Sequence, residues 1–260
     1  MKAIIVAAGR GRRLGPETAE IPKCMVEVGG RPILHRQLEA LGAAGVTDFV
    51  VVRGYLGHRI VAPGFPVRFI ENSDWANNNI LASLMFASDE MNDGFVFSYS
   101  DIVFAPAYAR QVAQSPGDVA LVIDRQWRET YVGRLQHPIS EAELASVKQT
   151  DAGPVVDRVG KTVVSADDAV GEFIGLAKFS PSGGTALKRV WTEALAQGLG
   201  LEQPFGRAPR LRQAYLSDAL NALADRGTPL APVFVDGRWR EIDTEEDLAR
   251  AHLAVEGWHR

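Results

Sequence analysis

The chain has 260 residues, 46% hydrophobic and 23% charged, with a formal net charge of -4; these values suit one large α/β core. The acidic balance gives no basic footprint for nucleic acid, and no apolar run reaches the length of a membrane span. Met1-Lys2 leads directly into an apolar segment with no signal-like region, and the single cysteine, Cys24, has no partner for an internal disulfide, so the cytoplasm is the expected compartment.

Hydrophobic periodicity predicts a buried strand over residues 2–8, a helix over 33–45, a strand over 48–53, a short helix near 55–61 and a strand over 67–71. A helix over 80–91, a strand over 95–100, a helix over 107–115 and a strand over 119–124 continue the alternation. This βαβ rhythm predicts a mostly parallel, doubly wound α/β sheet, with ligands bound beyond the strand ends. Between residues 125 and 169 the rhythm breaks into shorter polar pieces, read as a small β-rich flap inserted in a single domain spanning 1–260; Val159-Gly160-Lys161 reads as its hairpin turn. A strand over 172–179 returns to the sheet, and helices over 185–196 and 216–226 flank a Pro- and Arg-rich loop at 203–212. A strand over 231–235 and a helix over 244–255 close the domain.

The first strand opens into Gly9-Arg10-Gly11-Arg12-Arg13-Leu14, followed by Pro22-Lys23. Glycines and cations at a buried strand end bring backbone N–H groups and positive charge to a phosphate chain. The loop is not a Walker loop, because no Lys-Ser or Lys-Thr follows the glycines, and Gly15-Pro16 cannot continue the helix that a dinucleotide fingerprint requires. What remains is a long loop in which Gly9 and Gly11 allow close approach, Arg13 can fork across phosphate oxygens and Lys23 adds a point charge. The small side chains of Ala7 and Ala8 leave room for a flat base against the strand end. Cys24, in an apolar Cys-Met-Val run with no histidine nearby in sequence, reads as a packing residue.

The run Ala7-Ala8-Gly9-x-Gly11-x-Arg13-Leu14-Gly15-Pro16 with Pro22-Lys23 resembles the signature loop of the nucleotidyltransferases that make sugar nucleotides and CDP-alcohols. The resemblance continues through Val28-Gly29-Gly30-Arg31-Pro32-Ile33-Leu34 and on to Trp239-Arg240-Glu241-Ile242-Asp243-Thr244. Within that superfamily, Asn79-Ile80-Leu81-x-Ser83-Leu84, Ser98-Tyr99-Ser100-Asp101-Ile102 and Gly171-Glu172-Phe173-Ile174-Gly175 look like the cytidylyltransferase branch that acts on phosphocholine and on phosphonates such as 2-aminoethylphosphonate. The resemblance implies a single Rossmann-like sheet of the nucleotide-diphospho-sugar transferase type. It also implies transfer of CMP from CTP to a small phosphorylated or phosphonate acceptor, with Mg²⁺ as cofactor and with room for a homodimer. Alternatives are a sugar-1-phosphate nucleotidyltransferase and a catalytically silent nucleotide sensor on the same fold.

The implied chemistry brings two anions together, so carboxylates at strand ends are the expected metal ligands. Asp101 follows the apolar strand 95–100, and Glu241 and Asp243 lie two apart on an extended piece, so that both can face one ion. Asp243-Thr244-Glu245-Glu246 also reads as a helix start with Asp243 as the N-cap and Glu246 completing a capping box. Arg13 and Lys23 are the expected catalytic cations. Asn78, Asn79 and Ser83 put amides and a hydroxyl at a helix start, where they can read a base or an acceptor, or cap the helix. For the acceptor's head group, Trp75, Trp127, Tyr131 and Glu172 would suit an ammonium, although Arg125 and Arg128 share the segment with Trp127 and the aromatics equally suit a flap core.

Overall fold

The computed structural model describes residues 1–258. In chain order its elements are β1 (Lys2–Ala7), β2 (Glu27–Val28), β3 (Arg31–Pro32), α1 (Ile33–Ala43), β4 (Asp48–Arg53), β5 (Val67–Glu71), α2 (Ile80–Met85), β6 (Phe95–Tyr99), β7 (Ile102–Phe104) and α3 (Pro106–Ala113). They continue as β8 (Val119–Asp124), α4 (Trp127–Tyr131), β9 (Glu143–Thr150), β10 (Gly153–Lys161), β11 (Gly171–Phe179), α5 (Pro181–Leu195), α6 (Leu216–Asp225), β12 (Leu230–Val235), β13 (Trp239–Glu241) and α7 (Glu245–Val255).

The main sheet has nine strands, ordered β10-β9-β11-β6-β1-β4-β5, with β8 pairing β11 and β12. β1 lies parallel between β4 and β6, β5 is parallel to β4, and β12 is parallel to β8. β11 runs antiparallel to β6, β8 and β9 and so joins the parallel half to the β9-β10 hairpin. Alternation along β1 explains the layering: Ile4 and Val6 enter the apolar cluster on one face, and Ala3, Ile5 and Ala7 enter that on the other. The C-terminal ends of β1, β4 and β6 therefore lie side by side, and the loops that follow them meet at one edge.

Three local expectations are corrected. The predicted helix at 55–61 is only a short turn, Gly57–Arg59, because Leu56 adopts φ 47 and redirects the chain. The helix predicted over 80–91 stops at Met85 and resumes as a short turn over Ser88–Met91. The hairpin turn lies at residues 151–152, between β9 and β10, and not at Gly160, which sits inside β10 with φ 135. A side chain on Gly160 would meet Ser217 of α6 at 3.2 Å, so this glycine permits close helix-strand packing. Asn221 of the same helix fastens the contact by accepting from the Val159 N–H and donating to its carbonyl.

Candidate active site

Beyond the ends of β1 and β6 lies a cleft of about 380 Å³, within the range of small-molecule sites. Ala7, Ala8, Gly9, Gly11, Arg13, Lys23, Asn78, Asn79, Ser83, Asp101, Glu172, Glu241 and Asp243 all line it, whereas Trp127 and Tyr131 do not.

The loop after β1 carries the cations. Gly11 has φ 66, and a Cβ there would come within 2.9 Å of Lys23 Cβ, so the glycine makes room for the lysine stem to lie along the loop. Lys23 is buried, and its Nζ donates to Asp101 Oδ2 at 2.7 Å and also to Asp243 Oδ1. Burial opposes its charge, but Asp101 and Asp243 prevail and hold the ammonium above its ordinary pKa. Arg13, half exposed, donates to Asp243 Oδ2 at 2.5 Å.

The acidic residues are brought together by a small antiparallel pairing. β13 lies on β7 with Glu241 opposite Ile102, and the Ile242 N–H donates to the Asp101 carbonyl at 2.8 Å. That single bond sets Asp101 beside the segment bearing Glu241 and Asp243. Burial would raise the pKa of Asp243, yet Lys23 and Arg13 hold it well below the carboxylate range. Glu241 is pushed well above its ordinary value by burial, with Asp243 and Asp101 adding to the effect.

The expectation that Asp243 caps the following helix is corrected. Thr244 is the N-cap of α7, accepting from the Asp247 N–H, and Asp247 completes the capping box by accepting from the Thr244 N–H. The cap sits one residue later than expected, which leaves both carboxylate oxygens of Asp243 for Lys23 and Arg13. Glu246 instead accepts from the backbone N–H groups of Leu135 and Gln136.

His137 was not expected from sequence. Its imidazole is fully buried, with Nε2 3.3 Å from Glu241 Oε2 and Nδ1 3.6 Å from Asp243 Oδ2, and neither nitrogen has a hydrogen-bond partner among the described residues. His137, Glu241 and Asp243 offer ligand atoms within 4.8 Å of one another. Asp101 Oδ1 is also buried without a partner among the described residues. An oxygen-rich set with an unsatisfied buried carboxylate oxygen fits a hard divalent cation. The only sequence signal for His137 was a histidine in a polar stretch far from the other ligands, which is too weak to single it out.

The asparagine wall is more occupied than expected. Asn79 caps α2 by accepting from the Ile80 N–H at 2.9 Å and donates to the Gln213 carbonyl at 3.1 Å. Asn78 exchanges hydrogen bonds with Asn72 at 2.9 and 3.1 Å, and Ser83 donates to Asn78 Oδ1 at 3.0 Å. Asn72, which sequence reasoning passed over, also donates to Ser83 Oγ at 2.8 Å and locks the group. Asn77 turns aside to Asp74.

The far wall comes from β9, β10 and β11. Glu172 is buried on β11, accepts from Tyr131 Oη at 2.8 Å and has its other carboxylate oxygen unpartnered among the described residues. Burial pushes its pKa up to about 8 against the opposing pull of Tyr131 and Arg134. Glu143, at the start of β9, is also buried and accepts from Tyr99 Oη at 2.9 Å, with its second oxygen lacking a hydrogen-bond partner among the described residues; burial raises its pKa against the opposing pull of Lys161, Tyr99 and Ser217. Lys161 donates to Glu141 Oε2 at 2.9 Å and lies over the Tyr215 ring at 5.1 Å. Trp127 and Tyr131 are corrected as candidates for facing a head group. Both rings are buried with Ala142, Leu144 and Val164 in a cluster apart from the cleft, and Tyr131 meets the site through its hydroxyl on Glu172 and through its ring, edge-on to His137 at 6.2 Å between centroids.

Residues 3–199 match the family described as the MobA-like NTP transferase domain. The chain is 29% identical over 262 aligned positions to the CTP:phosphoglutamine cytidylyltransferase of Campylobacter jejuni, covering 95% of this chain and 98% of that one. It is 30% identical over 207 aligned positions to the 2-aminoethylphosphonate cytidylyltransferase of Lancefieldella rimae, covering 78% and 76%. Among solved structures, the CTP:phosphocholine cytidylyltransferase of Streptococcus pneumoniae superposes with a TM-score of 0.74 over 98% of both chains at 18% identity, a likeness of fold.

Proposed function

The chain belongs to the MobA-like NTP transferase domain family, and from that premise we propose that it is a cytidylyltransferase that moves CMP from CTP onto a small phosphonate or phosphomonoester. The observation that carries this reading is the convergence of Arg13 and Lys23 with Asp101, Glu241 and Asp243 at one end of a cleft whose other wall is lined by buried carboxylates. The cytidylyltransferase relatives support CTP as the donor.

In the reaction, an anionic oxygen of the acceptor attacks the α-phosphorus of CTP. The new P–O bond forms as the bond to the bridging β-phosphate oxygen breaks, and pyrophosphate leaves with that electron pair. The acceptor is already a nucleophile, so the protein contributes position and charge stabilisation without a covalent intermediate. Arg13 forks across the triphosphate oxygens. Lys23 holds its charge at neutral pH and follows the negative charge that builds on the bridging oxygen. Asp101, Glu241 and Asp243 are the residues that would hold a divalent cation, proposed as Mg²⁺, which when bound neutralises phosphate charge as a Lewis acid.

The test is pyrophosphate release with each of the four nucleoside triphosphates against phosphocholine, 2-aminoethylphosphonate, 2-hydroxyethylphosphonate and several sugar 1-phosphates. Turnover with CTP and a small phosphonate or phosphomonoester is expected. Turnover only with a sugar 1-phosphate, or none, overturns the reading.

A further inference from the structure

We propose that Gln37, which does not line the cleft, is a positioning residue for the reaction: its amide clamps the turn that carries Asp101 and so sets where that carboxylate stands. The inference rests on the cytidylyltransferase reading and adds to it a residue that acts from behind the site.

Helix α1 buries Ile33, Leu34, Gln37, Leu38, Ala40 and Leu41, so Gln37 is the one polar side chain on its inner stripe. Leu34, Leu38 and Leu41 pack in the same apolar cluster as Ile102 and Phe104 of β7, which fixes the helix against that strand. A leucine in place of Gln37 would continue the stripe and bury more apolar surface. Instead the amide nitrogen donates to two backbone carbonyls, that of Tyr99 at 2.7 Å and that of Ile102 at 2.6 Å. Both partners are acceptors, so only the NH2 end of the amide can face them, and the side chain has one orientation. Its Oε1 is thereby left buried with no hydrogen-bond partner among the described residues. An orphaned acceptor is a cost to stability. A glutamine kept at that cost is there for its two N–H groups.

Tyr99 ends β6 and Ile102 begins β7, with only Ser100 and Asp101 between them. A single NH2 group therefore spans both ends of the turn. The Asp101 carbonyl, between the two clamped ones, accepts from the Ile242 N–H at 2.8 Å. The backbone of Asp101 is tied in this way to α1 and to the segment that bears Glu241 and Asp243. Its side chain then presents Oδ2 to Lys23 at 2.7 Å and leaves Oδ1 buried without a partner among the described residues. A carboxylate oxygen held ready for a cation needs a rigid backbone beneath it, because a ligand that must be reordered on binding loses affinity.

The experiment measures, by electron paramagnetic resonance, Mn²⁺ bound together with a CTP analogue whose α,β bridge is a methylene group, and the urea midpoint of each protein alongside. Gln37→Met keeps the length of the side chain and removes both donors. It is expected to weaken Mn²⁺ binding by about 10- to 100-fold, the usual range for a residue that orients a metal ligand, and Asp101→Asn is expected to lose at least as much. In the Asp101→Asn background Gln37→Met should lower the urea midpoint but cost no further Mn²⁺ affinity, since it acts through Asp101. A merely structural glutamine would lower the midpoint and leave Mn²⁺ binding at the wild-type level, which overturns the proposal. So does a further loss of affinity in the Asp101→Asn background, or wild-type Mn²⁺ binding by Asp101→Asn itself. Gln37→Glu, of the same shape and without the two donors when ionised, is the second variant, and failure of both variants to fold makes Gln37 structural and overturns the proposal as well. Each of these results leaves the cytidylyltransferase reading standing, whereas a wild type that binds neither the CTP analogue nor Mn²⁺ with it removes that reading and the proposal together.

Discussion

Lys23 occupies a slot shaped for a single tetrahedral nitrogen: its stem lies on Gly11 and its Nζ lies between Asp101 and Asp243. On the proposed mechanism, Lys23→Ala lowers kcat by a few powers of ten, in line with about 3 to 4 kcal/mol for a positioned transition-state charge. Single-turnover kinetics on a variant with a native circular dichroism spectrum checks this, and near wild-type rates would remove Lys23 from the chemistry. A second residue-scale expectation concerns Glu172, whose pKa is raised to about 8 from an ordinary 4.5. The folded chain then holds this proton more tightly than the unfolded chain, so the contribution of Glu172 to stability falls as pH rises between about 4.5 and 8 and is flat outside that window. Glu172→Gln, which mimics the protonated form, should gain stability relative to wild type from pH 5 to pH 8.5, on the order of 4 kcal/mol. Urea unfolding at the two pH values measures it, and parallel behaviour of the two proteins would contradict the assigned cause. At this scale the cations and acids of the loop and strand ends were legible in the sequence, because their types and positions beside apolar strands have few other uses. Glu143 and His137 were not, since nothing in a single acidic or imidazole side chain tells that tertiary packing will bury it without a partner.

Among the elements, α7 shows how a one-residue shift matters. Thr244 and Asp247 form the capping box, so Asp243 is released toward Lys23 and Arg13. Thr244→Ala should cost about 1 kcal/mol of stability, the usual loss of an N-cap, read as a lower urea midpoint with an unchanged slope. The sequence reads as a cap at Asp243, and the structure places it at Thr244, with the pairing of β13 on β7 turning Asp243 into the cleft instead. Gly160 misled for a related reason. Glycine at positive φ serves a turn and a close helix contact alike, and the contact with Ser217 lies 57 residues away along the chain.

For the molecule as a whole, the alternation of apolar strands and amphipathic helices was sufficient to expect the parallel half of the sheet, because each crossover is local. The antiparallel role of β11, which ties β6, β8 and β9 together, was not legible, since a strand buried on both faces carries no mark of its direction. The same holds for Trp127, whose burial against Ala142, Leu144 of β9 and Val164 depends on segments that come later in the chain. Trp127→Ala should destabilise the fold by about 3 to 5 kcal/mol, as for other large-to-small core changes. A variant with a wild-type urea midpoint and a raised acceptor KM would instead put the indole against substrate.

The pairing of Lys23 with Asp101 and Asp243 means that the empty enzyme carries its own tethered counterion. A free divalent ion must compete with that ammonium, whereas an ion arriving on a triphosphate brings the phosphate oxygens that draw the lysine away. On the proposed mechanism, the metal would therefore enter as part of the nucleotide. Without nucleotide, Mn²⁺ titrations followed by electron paramagnetic resonance should therefore show weak binding to wild type and roughly tenfold tighter binding to Lys23→Met, about 1.4 kcal/mol, while equal affinities would show that the lysine does not stand in the ion's way. On that reading the protein would be guarded against idle loading by metal alone, with its lysine released to the phosphates only as they arrive.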